Sequence, residues 1–319
     1  MRVFHDRLIS VEDKEWILDF IMELLQKNFR STLTKDELFG EKKVLFSDIL
    51  KLEASNILYE EIKDPAKLVK SLKNYLEDYN SGDSTTMKMN LVLFDDAVDH
   101  MLRIARVLRQ PRGNIMLIGV GGSGKQSLIR LCSFLYDMEF KQIEITKDFG
   151  VESFRDFIKE LMMKAGIEGK KVSFALTDSQ ILNETFVEDI NNELNTGEIP
   201  NLMNEDDMNI INNDMRPIIN EMGKEETPDV IKQVFVERVR ANLHVCLCMS
   251  PVGDTLRVRC RNFPSLVNCC TLDWFSRWPE EALLYVSSEF LKELDLPSEE
   301  VRASLAKMCM RIHTSVEDQ

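Results

Sequence analysis

The chain has 319 residues, 44% of them apolar, enough to bury a substantial core in one large domain or two smaller ones. Its 40 Lys+Arg stand against 54 Asp+Glu, and the net charge of −14 argues against a general affinity for nucleic acid or anionic membranes, so any phosphate must be captured locally. Seven cysteines, with no recognisable signal peptide and no paired zinc spacing, fit reduced thiols in the cytoplasm, and no apolar run reaches the roughly 18 residues of a membrane span.

In chain order, Ser10 with Asp13 reads as a helix cap, followed by Trp16, Ile17, Phe20, Ile21, Leu24 and Leu25 at helical spacing. Asp64-Pro65 opens a second helix, with aspartate as cap and proline in the first turn, carrying Leu68, Leu72, Tyr75 and Leu76 on one side. "NSGDSTT" at 80–86 breaks all periodicity, so residues 1–80 are expected to form a helical lead-in. From Phe94 to Arg109 the apolar positions describe an amphipathic helix stopped by Pro111 and Gly113. The period then changes. Short β-like runs at 114–119, 141–145, 172–177, 244–249 and 266–272 alternate with helical patterns, which predicts an α/β fold with a mainly parallel sheet covered on both faces over residues 81–278. Beyond Trp278-Pro279 the pattern is all-helical through 280–294 and 298–312, and residues 279–319 read as the start of a small lid that stops at Gln319 without a capping signal.

The chemistry concentrates where the strand at 114–119 runs into a glycine-rich turn. Gly119, Val120, Gly121, Gly122, Ser123, Gly124 and Lys125 fit G-x-x-x-x-G-K between a strand and a helix. Glycines let the loop wrap an anionic tail, so that backbone N–H groups and the positive helix end converge on phosphates, which Lys125 bridges. The next position normally supplies a hydroxyl to magnesium; here it is Gln126, and Ser127 lies about 100° further round the helix. A neutral carbonyl oxygen or a water is left to serve, so magnesium is expected to be held weakly. A second motif, "VSFALTDSQ", ends an apolar strand on Asp178, placed to act on magnesium through its water shell. Active ATPases of this kind then carry a glutamate that polarises the attacking water. This chain has Ser179, whose hydroxyl is no general base at pH 7 without a helper. Glu184 and Glu188 follow, either approaching the site or standing as exposed helix-face acids. Phosphate-binding positions are kept, and both positions that drive hydrolysis are altered.

These motifs, with "NELNTGEIPNL", "RVRANLHVCLCMSPVGD", "RCRNFPSLVNCCTLDWFSRWPEEAL" and "IHTSV", resemble the fourth AAA+ module of an axonemal dynein heavy chain over nearly the whole length, and "RVFHDRL" is similar to the tail of the preceding module's lid. The resemblance implies a P-loop AAA+ fold with a large α/β and a small helical subdomain, and with Gln126 and Ser179 altered the expectation is that ATP or ADP binds with Mg2+ and is hydrolysed weakly or not at all. It implies a regulatory or structural role in a six-module motor ring of the ciliary axoneme, a cytoplasmic and cytoskeletal setting, with the chain ending just before the microtubule-binding stalk. Implied partners are the neighbouring AAA+ modules, the microtubule through that stalk, and dynein intermediate and light chains through the parent protein, with no nucleic acid and no membrane.

By the same resemblance, Ser250 falls where a polar residue, more often Asn, senses the terminal phosphate, and Val92 and Leu93 fall where the adenine pocket is lined. Arg257, Arg259 and Arg261 lie where an arginine finger reaches a neighbouring module's nucleotide; Arg261, just before "NFPSL", is the first choice. Residues 205–230 look like an insertion that touches the mechanical linker. Read without the resemblance, these are a strand-end serine, core residues, structural or surface arginines, and a solvated loop and helix. His5, His100, His244 and His313 have no partner spacing and receive no role. Two other classes stay open at this point: a free-standing P-loop kinase for a small metabolite, and a scaffold with a nucleotide-free pocket.

Overall fold

Ser10 caps the first helix as its position predicts: its Oγ accepts from the Asp13 N–H, and α1 runs Val11–Phe29 without burying a side chain. The computed structural model describes residues 4–5, 7–40, 45–52, 58–82, 88–292 and 294–317. Parts of the "RVFHDRL" stretch, residues 83–86 of the expected break and Gln319 therefore lie outside the described residues. A Thr34–Glu37 capping box starts α2 (Lys35–Phe39). The lead-in is not wholly helical, because β1 (Leu45–Ser47) and β2 (Glu60–Ile62) pair antiparallel. Three-residue strands are too short to impress a period on a sequence. Asp64 then caps α3 (Pro65–Ser81) by accepting from the Lys67 N–H, and proline sits in the first turn, where its missing donor costs nothing.

Helix α4 (Asp95–Leu108) leads into a five-stranded sheet made of β3 (Asn114–Ile118), β4 (Glu139–Gln142), β5 (Val172–Thr177), β6 (Leu243–Met249) and β7 (Cys270–Trp274). The order is β4-β5-β6-β3-β7, and every neighbouring pair is parallel. Both faces are covered. Met116 and Ile118 of β3 join a core with α6 (Val151–Met163), α7 (Glu184–Thr196), α8 (Glu205–Glu221) and α9 (Pro228–Asn242). The alternating Ile115 and Leu117 face a second core built with α4 and α5 (Lys125–Leu135), which Ile49, Ile62, Leu68 and Leu72 also enter. That double burial explains why the strands read as continuous apolar runs. On β6, Cys246 and Cys248 are buried in the second core, and Cys132 of α5 lies there too.

Two strands fall differently from their sequence pattern. β4 pairs with β5 only through Gln142↔Ala175, after which the Gln180 side chain takes the Ile143 carbonyl at 2.7 Å and ends the ladder. The run at 266–272 is split, since Pro264 starts a helical turn, α11 (Ser265–Asn268), behind α10 (Thr255–Asn262), and the strand begins at Cys270 opposite Asn114. Within 205–230, an Asn204–Asp207 capping box starts α8, which turns Ile211, Met215 and Ile219 to the core and leaves its other faces largely to solvent. Helices α12 (Glu280–Lys292) and α13 (Glu299–Glu317) pack on each other. No helix of the described residues is long and apolar enough to cross a membrane.

Candidate nucleotide-binding site

Consecutive strands part company at β3, which has β6 on one side and β7 on the other. Ligands of open α/β sheets collect at such a point, outside the carboxyl ends of the strands. Here the loop 119–124 leaves β3 and turns into α5. Two of its glycines are there for geometry. A Cβ on Gly119 would lie 2.6 Å from the Phe275 Cβ, and Gly124, at φ +81°, has a backbone that side chains disfavour.

Lys125 opens α5, buried at 9% exposure. Its Nζ donates to the carbonyls of Gly119 (2.8 Å) and Val120 (2.7 Å) and to Ser123 Oγ (2.9 Å), so all three ammonium hydrogens have acceptors on the loop itself. Burial lowers its pKa, opposed by Cys248 and Asp178. Gly119, Gly121, Gly122, Ser123, Gly124, Lys125, Gln126 and Ser127 line one cleft of about 500 Å³ with Asp178, Ser179 and Ser250. The Val120 side chain is half exposed, and its contribution is the carbonyl.

A neighbouring pocket of about 240 Å³ shares Gly122, Ser123, Gly124 and Ser127 with the cleft and is walled by Val92, Phe94, Phe275 and Trp278, with Phe290 of α12. Val92 is therefore among the residues that line this pocket. Leu93 is not: it is 4% exposed and lies within the core cluster. Sequence reasoning missed His100, which also lines this pocket. Its ring stacks on Phe275 at 3.8 Å, and its Nδ1 is 2.8 Å from the buried Asp273, which also accepts from Arg103 at 2.7 Å. Asp273 lies 173 positions away, so no local spacing announces the pair.

At the acidic end, Asp178 closes β5. Its Oδ2 accepts from the Ser250 backbone N–H, and its Oδ1 accepts from Arg259 Nη1 at 2.9 Å. The same guanidinium donates to Glu184 Oε1 through Nε (3.0 Å) and Nη2 (2.8 Å). Arg259, one of the three finger candidates, is thus turned inward onto Asp178 and Glu184 at 6% exposure and is not free to reach outward. Arg257 is exposed, 3.6 Å from Asp254, and Arg261 is exposed with no ion pair among the described residues. Glu188 is exposed on α7, away from the cleft lining. The Ser179 and Thr177 hydroxyls lie 3.0 Å apart, and Ser250 Oγ accepts from the Val252 N–H at 3.3 Å. Gln142, also unanticipated, donates to Gln126 Oε1 at 3.3 Å.

Residues 89–319 match the family described as P-loop containing dynein motor region D4. The chain belongs to this family. It is 44% identical over 318 residues to human dynein axonemal heavy chain 6, and 44% over 317 residues to mouse dynein axonemal heavy chain 1, in each case over 99% of this chain. It is also 42% identical over 321 residues, the whole of this chain, to the Chlamydomonas reinhardtii dynein-1-beta heavy chain of the flagellar inner arm I1 complex. The chain spans 8%, 7% and 7% of these relatives' lengths. D4 agrees with the fourth module expected from the motifs, and the helix-flanked parallel sheet with the expected P-loop AAA+ fold.

The loop of this D4 region fits a phosphate tail: glycines stand at the points of close approach and positive φ, with a lysine at the helix start. Magnesium fits less well. Gln126 and Asp178 do share the cleft, but the Gln126 amide oxygen and both Asp178 oxygens already accept hydrogen bonds from the protein.

Proposed function

We propose that this D4 region binds ATP or ADP in the P-loop cleft and hydrolyses it slowly or not at all, serving as a regulatory or structural element of a dynein motor ring in ciliary motility. One observation carries the reading: among the described residues lining the cleft Asp178 is the sole acid, and its two oxygens are both bonded to the protein. No second acid lines the cleft to polarise an attacking water. In this reading Gly119 to Ser127 cradle the phosphates, Val92 borders the base, Ser250 senses the terminal phosphate, and Arg261 reaches a neighbouring module's nucleotide. Residues 1–80 lead in from the preceding module, 81–278 form the nucleotide subdomain, and 279–319 begin the lid. The axonemal names of the relatives support a place in the cilium, with adjoining modules as immediate partners and microtubule, intermediate and light chains engaged by the parent protein.

Titration of a fluorescent ADP or ATP analogue onto the chain tests the binding half. Lys125→Ala removes a charge-assisted contact to phosphate, and affinity should fall by roughly a hundredfold, equivalent to about 3 kcal/mol. Phosphate release tests the other half, with slow turnover or none expected. Brisk magnesium-dependent release would refute weak hydrolysis, whereas binding that ignores Lys125 would leave the nucleotide-free scaffold.

A further inference from the structure

The positive charge at the acidic end of the cleft comes from within the chain. Arg259 projects from α10, its side chain 8% exposed, and its planar fork joins acids from two other elements, Asp178 at the end of β5 and Glu184 in the first turn of α7. A guanidinium keeps its proton at any pH of interest and offers donors in a fixed fork. Three of its nitrogen atoms are committed here, at 2.8 to 3.0 Å. The remaining Asp178 oxygen takes the Ser250 N–H just past the end of β6. Magnesium surrenders its waters reluctantly and asks for near-octahedral oxygens at about 2.0–2.1 Å. Directly or through a bound water, it must compete at Asp178 with a cation already paired to that carboxylate in partly buried surroundings, so one positive partner stands where another would.

We propose that Arg259 is a built-in cationic clamp on Asp178 that takes the part of magnesium. Nucleotide then binds in this cleft almost independently of divalent metal, and a divalent-ion site opens only when the clamp is removed. The first consequence rests on the nucleotide-binding reading above; the second does not. Arg259 acts through Asp178 and is a positioning residue.

Two measurements on the 319-residue chain separate these consequences. In the first, Mn2+ is titrated without nucleotide and followed by electron paramagnetic resonance. The unaltered chain should leave the free-ion signal nearly undiminished. Arg259→Met, which keeps the length and loses the charge, should bind Mn2+ at least about tenfold more tightly, and adding Asp178→Asn should abolish the gain. In the second, affinity for a fluorescent ADP is compared in magnesium and in EDTA. The unaltered chain and Arg259→Lys should change by less than about threefold, and Arg259→Met should gain at least about tenfold from magnesium.

Tenfold magnesium dependence in the unaltered chain, or Asp178-dependent Mn2+ binding by it, overturns the clamp. So does an Arg259→Met chain whose Mn2+ affinity is unchanged. If nucleotide binding fails the Lys125→Ala control, the nucleotide reading falls and the Mn2+ measurement alone judges the clamp. If Arg259→Met does not fold, as a thermal melt would show, the unaltered chain and Arg259→Lys still decide through their own metal response.

Discussion

Glu193 of α7 is 3% exposed, and its Oε2 has no hydrogen-bond partner among the described residues. Burial raises its pKa from 4.5 to about 7, against the pull of Arg240. Between those values the folded chain keeps a proton that the unfolded chain has lost. The stability this carboxyl allows is therefore fully present below pH 4.5 and is lost as pH rises through about 7, by roughly 3 kcal/mol in all. Glu193→Gln keeps the shape and removes the titration. Denaturant midpoints measured from about pH 5 to about pH 8 should fall for the unaltered chain and stay flatter for the variant, which should be the more stable by about 2 kcal/mol at the alkaline end.

Between elements, an ion pair ties α6 to α7 beside the stacked Phe154 and Phe186 rings. Asp189, 1% exposed, accepts two bonds of 2.9 Å from the Arg155 fork. Arg155→Met strands a buried carboxylate and should cost about 3–5 kcal/mol, whereas Arg155→Met with Asp189→Leu should recover most of it, because two apolar groups carry no desolvation penalty. Urea midpoints of the single and double variants check this. Element starts such as Ser10 and Asp64-Pro65 were legible in the sequence because cap and capped N–H lie within three residues. Elements decided by distant partners were not. The Gln180 side chain stops β4 from 37 positions away. Pro264 makes a helical turn where the apolar run alone suggested strand.

For the whole molecule, the glycine-rich loop of the candidate site could be read because seven adjacent residues form it. The acidic end could not: Arg259 meets Asp178 across 81 positions, and the run of alternating arginines gave no sign which one turns inward. Gln142, 16 positions from Gln126, was equally silent. A ligand held by these scattered parts should stabilise all of them together. At a hundred times its Kd, ADP should add about 2.7 kcal/mol and raise the melting temperature by about 5 °C, and Lys125→Ala should remove the shift in a thermal scan.

The cysteine thiols give the sheet its own chronometer. Burial pushes up the pKa of Cys132, Cys246 and Cys270, while Cys309 is exposed. A disulfide reagent should modify Cys309 at once and the other three only as fast as the layers around β3 come apart. Cys248, which burial pushes up to about 12 against the pull of Lys125, borders the cleft, so nucleotide should slow its modification more than that of Cys309.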